Sequence, residues 1–249
     1  MTDERSPPSA LKGRLADVYV PALLSSTLDA LSRRLGNRAT IDDPLYGRAS
    51  TLAAIEPLLA RTAAYFAGAN ATYEHVCSTT GVDRDASEGR LAMTFDGATR
   101  AVPIAIVAER RRLREIELRV YYAPPGLSGD RSRAPLTSPA SPVGLSSLME
   151  GILDGFRRGA VEQALAGFEG ESCIVDATGR SHGRQEGAMR TFLGDLGESN
   201  VAISGVADDG RTACIEGVIV RAGREPAAAL LAFQRGTSGL VNELRLYGG

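Results

Sequence analysis

The chain has 249 residues, enough for two ordinary domains, and its 43% hydrophobic and 23% charged residues are those of a globular protein. A formal net charge of −2 provides no long-range field for nucleic acid or an anionic membrane, and Lys12 is the sole lysine. No apolar run approaches the ~20 residues that span a bilayer, and the first residues lack the apolar stretch of a secretory signal.

In chain order, Leu15, Val18, Tyr19, Ala22 and Leu23 recur at helical spacing, and Leu28, Leu31 and Leu35 continue the pattern. Residues 39–47, "ATIDDPLYG", predict a short strand that ends at Asp43, because Pro44 has no N–H to give a ladder. A further helix is expected over 50–66, followed by strand-like runs at 72–78, 90–95, 100–108 and 114–122. Residues 123–144 are rich in Pro, Gly and Ser, keep no hydrophobic period and predict a linker.

The same order of elements then returns. Leu145, Leu148, Met149, Ile152 and Phe156, followed by Val161, Leu165 and Phe168, repeat the helical opening. The run "SCIVDATGR" repeats the strand ending in aspartate, with Asp176 placed 133 positions after Asp43. A helix over 184–196 and four strand-like runs at 200–206, 212–220, 225–233 and 240–248 complete the second copy. Helices followed by strands at hairpin spacing predict an α+β domain, and the long period indicates a duplicated domain rather than a solenoid. The expected architecture is two tandem cone-shaped domains, each a curled antiparallel sheet covered by helices. Their bounds are 14–122 and 145–249, joined by the linker over 123–144, and they pack as an internal pseudo-dimer, with a homodimer left open. Cys77, Cys173 and Cys214 are an odd number far apart in sequence, which predicts free thiols in a reducing cytoplasm.

The stretch "TLDALSRRLGNRATIDDPLYG", followed by "AIEPLLA", resembles the nuclear-transport-factor-2-like, or SnoaL-like, superfamily. That superfamily includes ketosteroid isomerases, polyketide cyclases and the epoxide hydrolase/cyclases of polyether biosynthesis. The resemblance covers residues 14–122 and, more weakly, 145–247. It implies that Asp43 is a general base and that Tyr19, on the entry helix, donates a hydrogen bond to an oxyanion. The isomerases add a protonated acid on a later strand, but the matching run here carries Ile104, Ala105 and Ile106. The polyether cyclases add an acid after the second helix. The matching position is Asn70, with Glu74 four residues on as its substitute.

Beside each role stands a plainer one. Asp43 is a base, or it caps the turn at Pro44. Tyr19 is a donor, or a core tyrosine. Asp42 alternates to the opposite face and is expected in solvent. Strict alternation puts Tyr73, His75 and Cys77 on one face, with Glu74 and Val76 on the other. In the run over 114–122, Ile116, Leu118, Val120 and Tyr122 form one face. Glu115, Glu117, Arg119 and Tyr121 form a charged face, expected to meet solvent or a partner subunit. In the second copy Asp176 keeps the base position, while Ile152 stands where the first copy has Tyr19. Glu216, beside Val218 and Val220, reads as a pocket acid or as an edge charge against aggregation. His182 reads as structural.

The candidate catalytic residues are therefore Asp43, Tyr19, Glu74, Tyr73, Asp176 and Glu216, with no cofactor and no metal. The expected activity is acid/base cyclisation or isomerisation of an apolar polyketide-type small molecule. Epoxide-opening cyclic ether formation in secondary metabolism is its sharpest form. A ketosteroid-isomerase-like double-bond isomerase, an epoxide hydrolase and a non-catalytic hydrophobic-ligand-binding module are the alternatives.

Overall fold

In the computed structural model, residues 13–25, 27–111, 115–123, 144–185, 187–221 and 223–248 are described. The predicted linker falls almost wholly on 124–143, outside the described residues. Two helices, α1 (Leu15–Leu24) and α2 (Leu28–Leu35), precede strands β1 (Ala39–Asp43) and β2 (Gly47–Ala49). Helix α3 (Leu52–Gly68) and strands β3 (Thr72–Thr80), β4 (Arg84–Phe95), β5 (Ala98–Arg110) and β6 (Ile116–Tyr121) follow. The second unit repeats this order with α4 (Ser147–Arg158), α5 (Val161–Leu165), β7 (Phe168–Val175), β8 (Ser181–Gly183) and α6 (Ala188–Leu196). It closes with β9 (Ser199–Asp208), β10 (Thr212–Arg221), β11 (Ala227–Arg235) and β12 (Val241–Gly248).

The strands form two six-stranded sheets, ordered β2-β1-β6-β5-β4-β3 and β8-β7-β12-β11-β10-β9. Each sheet is mixed rather than purely antiparallel. The helix after the first hairpin carries the chain to the far edge, and four consecutive strands then meander back. The last of them returns parallel to the first, as β6 on β1 and β12 on β7. These parallel pairs superimpose the two copies: Ile41 lies opposite Leu118 in one sheet, as Ile174 lies opposite Leu244 in the other.

Local sequence fixes the helix ends. The Ser146 hydroxyl accepts from the Met149 N–H at the start of α4, and Gly159 stops that helix at φ 62°, where a Cβ would be strained. In each unit the helices cover one face of the sheet. The first core joins Leu23, Leu31, Ile55 and Leu59 from the helices to Ile41, Leu91, Ile106 and Leu118 from the strands. The second joins Ile152, Phe156 and Met189 to Ile174, Leu231, Phe233 and Leu244.

The opposite faces of the two sheets meet each other. Ala86, Ala105, Val107 and Tyr121 of the first unit pack with Cys214, Leu230, Ala232 and Tyr247 of the second in a third buried cluster. The charged face of β6 therefore faces the other half of the same chain, not solvent. It is closed by two reciprocal ion-pair sets. Arg119 donates to Glu216 through Nε at 2.5 Å and Nη2 at 2.6 Å, and the Tyr121 hydroxyl donates to the same carboxylate. In mirror fashion Arg245 Nε donates to Glu88 at 2.7 Å, and the Tyr247 hydroxyl donates to it at 2.9 Å. Arg84 also reaches Glu216 at 2.9 Å, lying against Gly205 of β9, where any Cβ would collide with its guanidinium.

Candidate active site

Asp43 is the last residue of β1 and points into the first core, 1% exposed. Its Oδ1 accepts from the N–H groups of Leu45 at 2.8 Å and Tyr46 at 3.1 Å. The turn-capping role weighed from sequence is thus real, and it fixes the carboxylate against the core. Asp42 turns to the other face, but that face is covered, and Asp42 is also 1% exposed rather than solvated. Its cross-strand neighbours are Arg48 on β2 and Arg119 on β6.

Two tyrosines share the interior with Asp43. Tyr19 comes from α1 and Tyr122 from the residue just after β6; both are fully buried, and neither hydroxyl has a hydrogen-bond partner among the described residues. Burial pushes the Tyr19 phenol well above the usual tyrosine range, and the Asp43 charge pushes it further. Tyr122 shifts the same way for the same two causes, with Tyr19, Tyr65 and Tyr46 adding to them. Tyr122 is held edge-on against Phe66, with ring centroids 6.1 Å apart. The site is therefore a carboxylate and two neutral hydroxyl donors inside an apolar core. One helical turn beyond Tyr19, Leu23 borders a surface groove of about 360 Å³ whose walls include Leu28, Ala60, Ala63 and Ala67.

The other sequence candidates lie elsewhere. Glu74 is on the outer face of β3, 69% exposed and 3.5 Å from Arg90, and it does not reach the core. Asn70 is exposed as well. Tyr73 is half-buried over Gly89 of β4, and besides burial and the Ser87 hydroxyl the charges it feels are Asp17 and Glu88. A bulge between His75 and Cys77 breaks the expected alternation of β3. His75 turns to Ser78 at 2.8 Å, while Cys77 faces Thr212 of the second unit at 3.7 Å.

Asp176 is a turn residue. Its Oδ1 accepts from the Thr178 N–H at 2.9 Å, the Thr178 hydroxyl at 2.6 Å and the Arg180 N–H at 3.1 Å, and His182 holds Oδ2 at 2.8 Å. Burial alone would raise its pKa, but these hydrogen bonds outweigh it and hold the carboxyl below the usual range. His182 packs on Phe192 with centroids 4.5 Å apart, the structural role expected of it. A void in the second unit, lined by Phe156, Ile174, Phe192 and Leu231 among others, is about 10 Å³, far below the ~300–1,000 Å³ of ligand sites.

Glu216 is neither a pocket acid nor an edge charge. β10 is an interior strand, and Glu216 is the inter-unit anchor of Arg119, Arg84 and Tyr121. Its mirror residue Glu88 lay in the polar run Arg84–Gly89, which the hydropathy pattern left outside any strand. A signal was present in the sequence. "ELRVY" at 117–121 and "ELRLY" at 243–247 repeat, as do the Glu-Gly pairs at 88–89 and 216–217.

No known family model matches the sequence, and no curated protein is similar to it. Among solved structures it is similar to a candidate polyketide cyclase from Sinorhizobium meliloti, at 20% identity over 44% of this chain and 94% of that one, TM-score 0.35. It is similar to the epoxide hydrolase/cyclase-like enzyme SalBIII of pyran ring formation in the polyether salinomycin, at 18% identity over 44% and 88%, TM-score 0.36. A cystatin-fold protein from Novosphingobium aromaticivorans gives 13% identity over 41% and 98%, TM-score 0.36. This chain is a tandem of two α+β units. That is the architecture its resemblance to the nuclear-transport-factor-2-like group implies, and it rests on the strand order and the repeated register. Among the described residues, no helix is long and apolar enough to cross a membrane.

Proposed function

We propose that the first unit is a cofactor-free acid/base catalyst of an apolar, oxygen-bearing small molecule of polyketide type. Its sharpest form is intramolecular epoxide opening to a cyclic ether in secondary-metabolite biosynthesis. The observation that carries this reading is Asp43, a carboxylate seated in an apolar core beside a fully buried tyrosine hydroxyl that no group among the described residues satisfies. A buried, unsatisfied hydroxyl costs roughly 1–3 kcal/mol, so its placement makes sense if a ligand oxygen completes it.

In the reaction, Asp43 takes the proton of the substrate hydroxyl as that oxygen attacks an epoxide carbon. The carbon–oxygen bond of the epoxide breaks, and the oxygen released is stabilised by Tyr19 until it receives the proton that Asp43 took, which restores the carboxylate. Donors fixed in a dry site need no reorganisation at that moment, which is the source of their effect. The same pair suits double-bond isomerisation beside a carbonyl, with Asp43 moving the proton and Tyr19 binding the enolate oxygen. The second unit, with its aspartate held in a turn, acts in this reading as a structural partner. The three thiols are free, in keeping with a cytoplasmic enzyme.

The test is a panel of hydroxy-epoxides and β,γ-unsaturated ketones incubated with the purified chain. A cyclic ether of unchanged mass supports cyclisation, a product one water heavier supports hydrolysis, and a conjugated ketone supports isomerisation. Binding of the panel without turnover would leave the non-catalytic ligand module as the function.

A further inference from the structure

We infer that Tyr122 is a second hydrogen-bond donor of the Asp43 site, so that its ligand is an apolar molecule with one oxygen that accepts from two tyrosines. This rests on the acid/base reading of the first unit and goes beyond it in naming a donor and a ligand chemistry. The register supplies the placement. Ile41 lies opposite Leu118 and Asp42 opposite Arg119, so the core-facing sequence Leu118, Val120, Tyr122 runs alongside Ile41 and Asp43. Tyr122 thus comes from the strand wall just beyond the acid, while Tyr19 comes from the helix wall. The two hydroxyls share three properties: complete burial, no partner among the described residues, and the field of the Asp43 carboxylate.

A core that needed only bulk at these positions would be more stable with phenylalanine, because each hydroxyl gives up its water and gains nothing from the protein. Two such hydroxyls with one carboxylate make a constellation that is satisfied by a ligand oxygen with two lone pairs. A carbonyl, an enolate or an epoxide oxygen meets that demand, and a plain hydrocarbon does not.

The experiment uses para-nitrophenol above its own pKa, as a small apolar oxyanion read by its visible absorption. The wild-type chain should bind it saturably. A hydrogen bond to a charged group contributes roughly 1.5–3 kcal/mol, so Tyr122→Phe should weaken binding at least about tenfold, and Tyr19→Phe comparably. Tyr122→Phe should melt at or above the wild-type temperature, since the lost hydroxyl had no partner. Asp43→Asn should bind the anion at least as well as wild type, because it removes a like charge. Normal turnover by Asp43→Asn with weakened binding by Tyr122→Phe would sink the base assignment and leave the two-tyrosine site standing. Wild-type affinity in Tyr122→Phe, no saturable binding by wild type, or weakened binding accompanied by a lowered melting temperature would each overturn the role given to Tyr122.

Discussion

Replacing Glu216 with glutamine tests the inter-unit lock. The side chain keeps its size but loses the charge that neutralises Arg119, which is only 3% exposed. Removing one partner of a buried pair typically costs about 3–5 kcal/mol, because the survivor is left without compensation. Here Arg119 keeps Glu109 at 2.8 Å and Glu117 at 3.3 Å, and Arg84 keeps Glu109 at 2.9 Å. The cost therefore falls at the low end, about 3 kcal/mol. For a chain of this size that lowers the melting temperature by roughly 6–12 °C. Differential scanning calorimetry of Glu216→Gln beside Glu74→Gln is the assay. Glu74 is exposed and should change stability by less than about 0.5 kcal/mol. If Glu216→Gln melts within about 2 °C of wild type, the ion pairs do not join the units in the way described.

Acid should loosen the same interface. Burial alone would raise the Glu216 pKa, but Arg119 and Arg84 outweigh it and hold the carboxyl below its ordinary value of 4.5, as they do for Glu109. Stability from these groups is complete above that value and is lost as pH falls through the depressed one, so the melting temperature should drop steeply below about pH 4.5, and less steeply in Glu216→Gln. Asp176→Ala should cost about 1–2 kcal/mol by urea titration, through the lost turn hydrogen bonds, and leave turnover unchanged.

The repeat was legible because the two copies keep the same helical and strand periodicities and the same aspartate at a fixed offset. The strand faces of β6 were legible too: Leu118, Val120 and Tyr122 are all in the core. What was not legible is what covers the other face. Asp42, Glu117, Arg119 and Glu216 are polar by type, and periodicity assigns polar faces to water, yet all four are buried, Arg119 and Glu216 against each other across the two facing sheets. The start of β4 was missed for the same reason. Arg84–Gly89 reads as a loop by composition, but its ladder to β5 and the Arg245 and Tyr247 partners of Glu88 make it a buried strand. At the site, Asp43 and Tyr19 were singled out by the family resemblance, and both prove to be buried in the first core. Tyr122 was noted only as part of a face, because proximity across a parallel register is not encoded in local pattern. Glu74 follows the alternation of β3, so with Tyr73 packed on the core its side chain lies on the outer face.

The central claim is that Asp43 is the base. Asp43→Asn keeps an acceptor for the Leu45 and Tyr46 N–H groups, so the turn and the fold should survive, as circular dichroism can verify. The measurement is the single-turnover rate of this variant on whichever hydroxy-epoxide or unsaturated ketone the wild-type chain converts. The account predicts a fall of ~10² to 10⁴, the range for loss of a general base, with substrate still bound. A folded Asp43→Asn that turns over at the wild-type rate would contradict it.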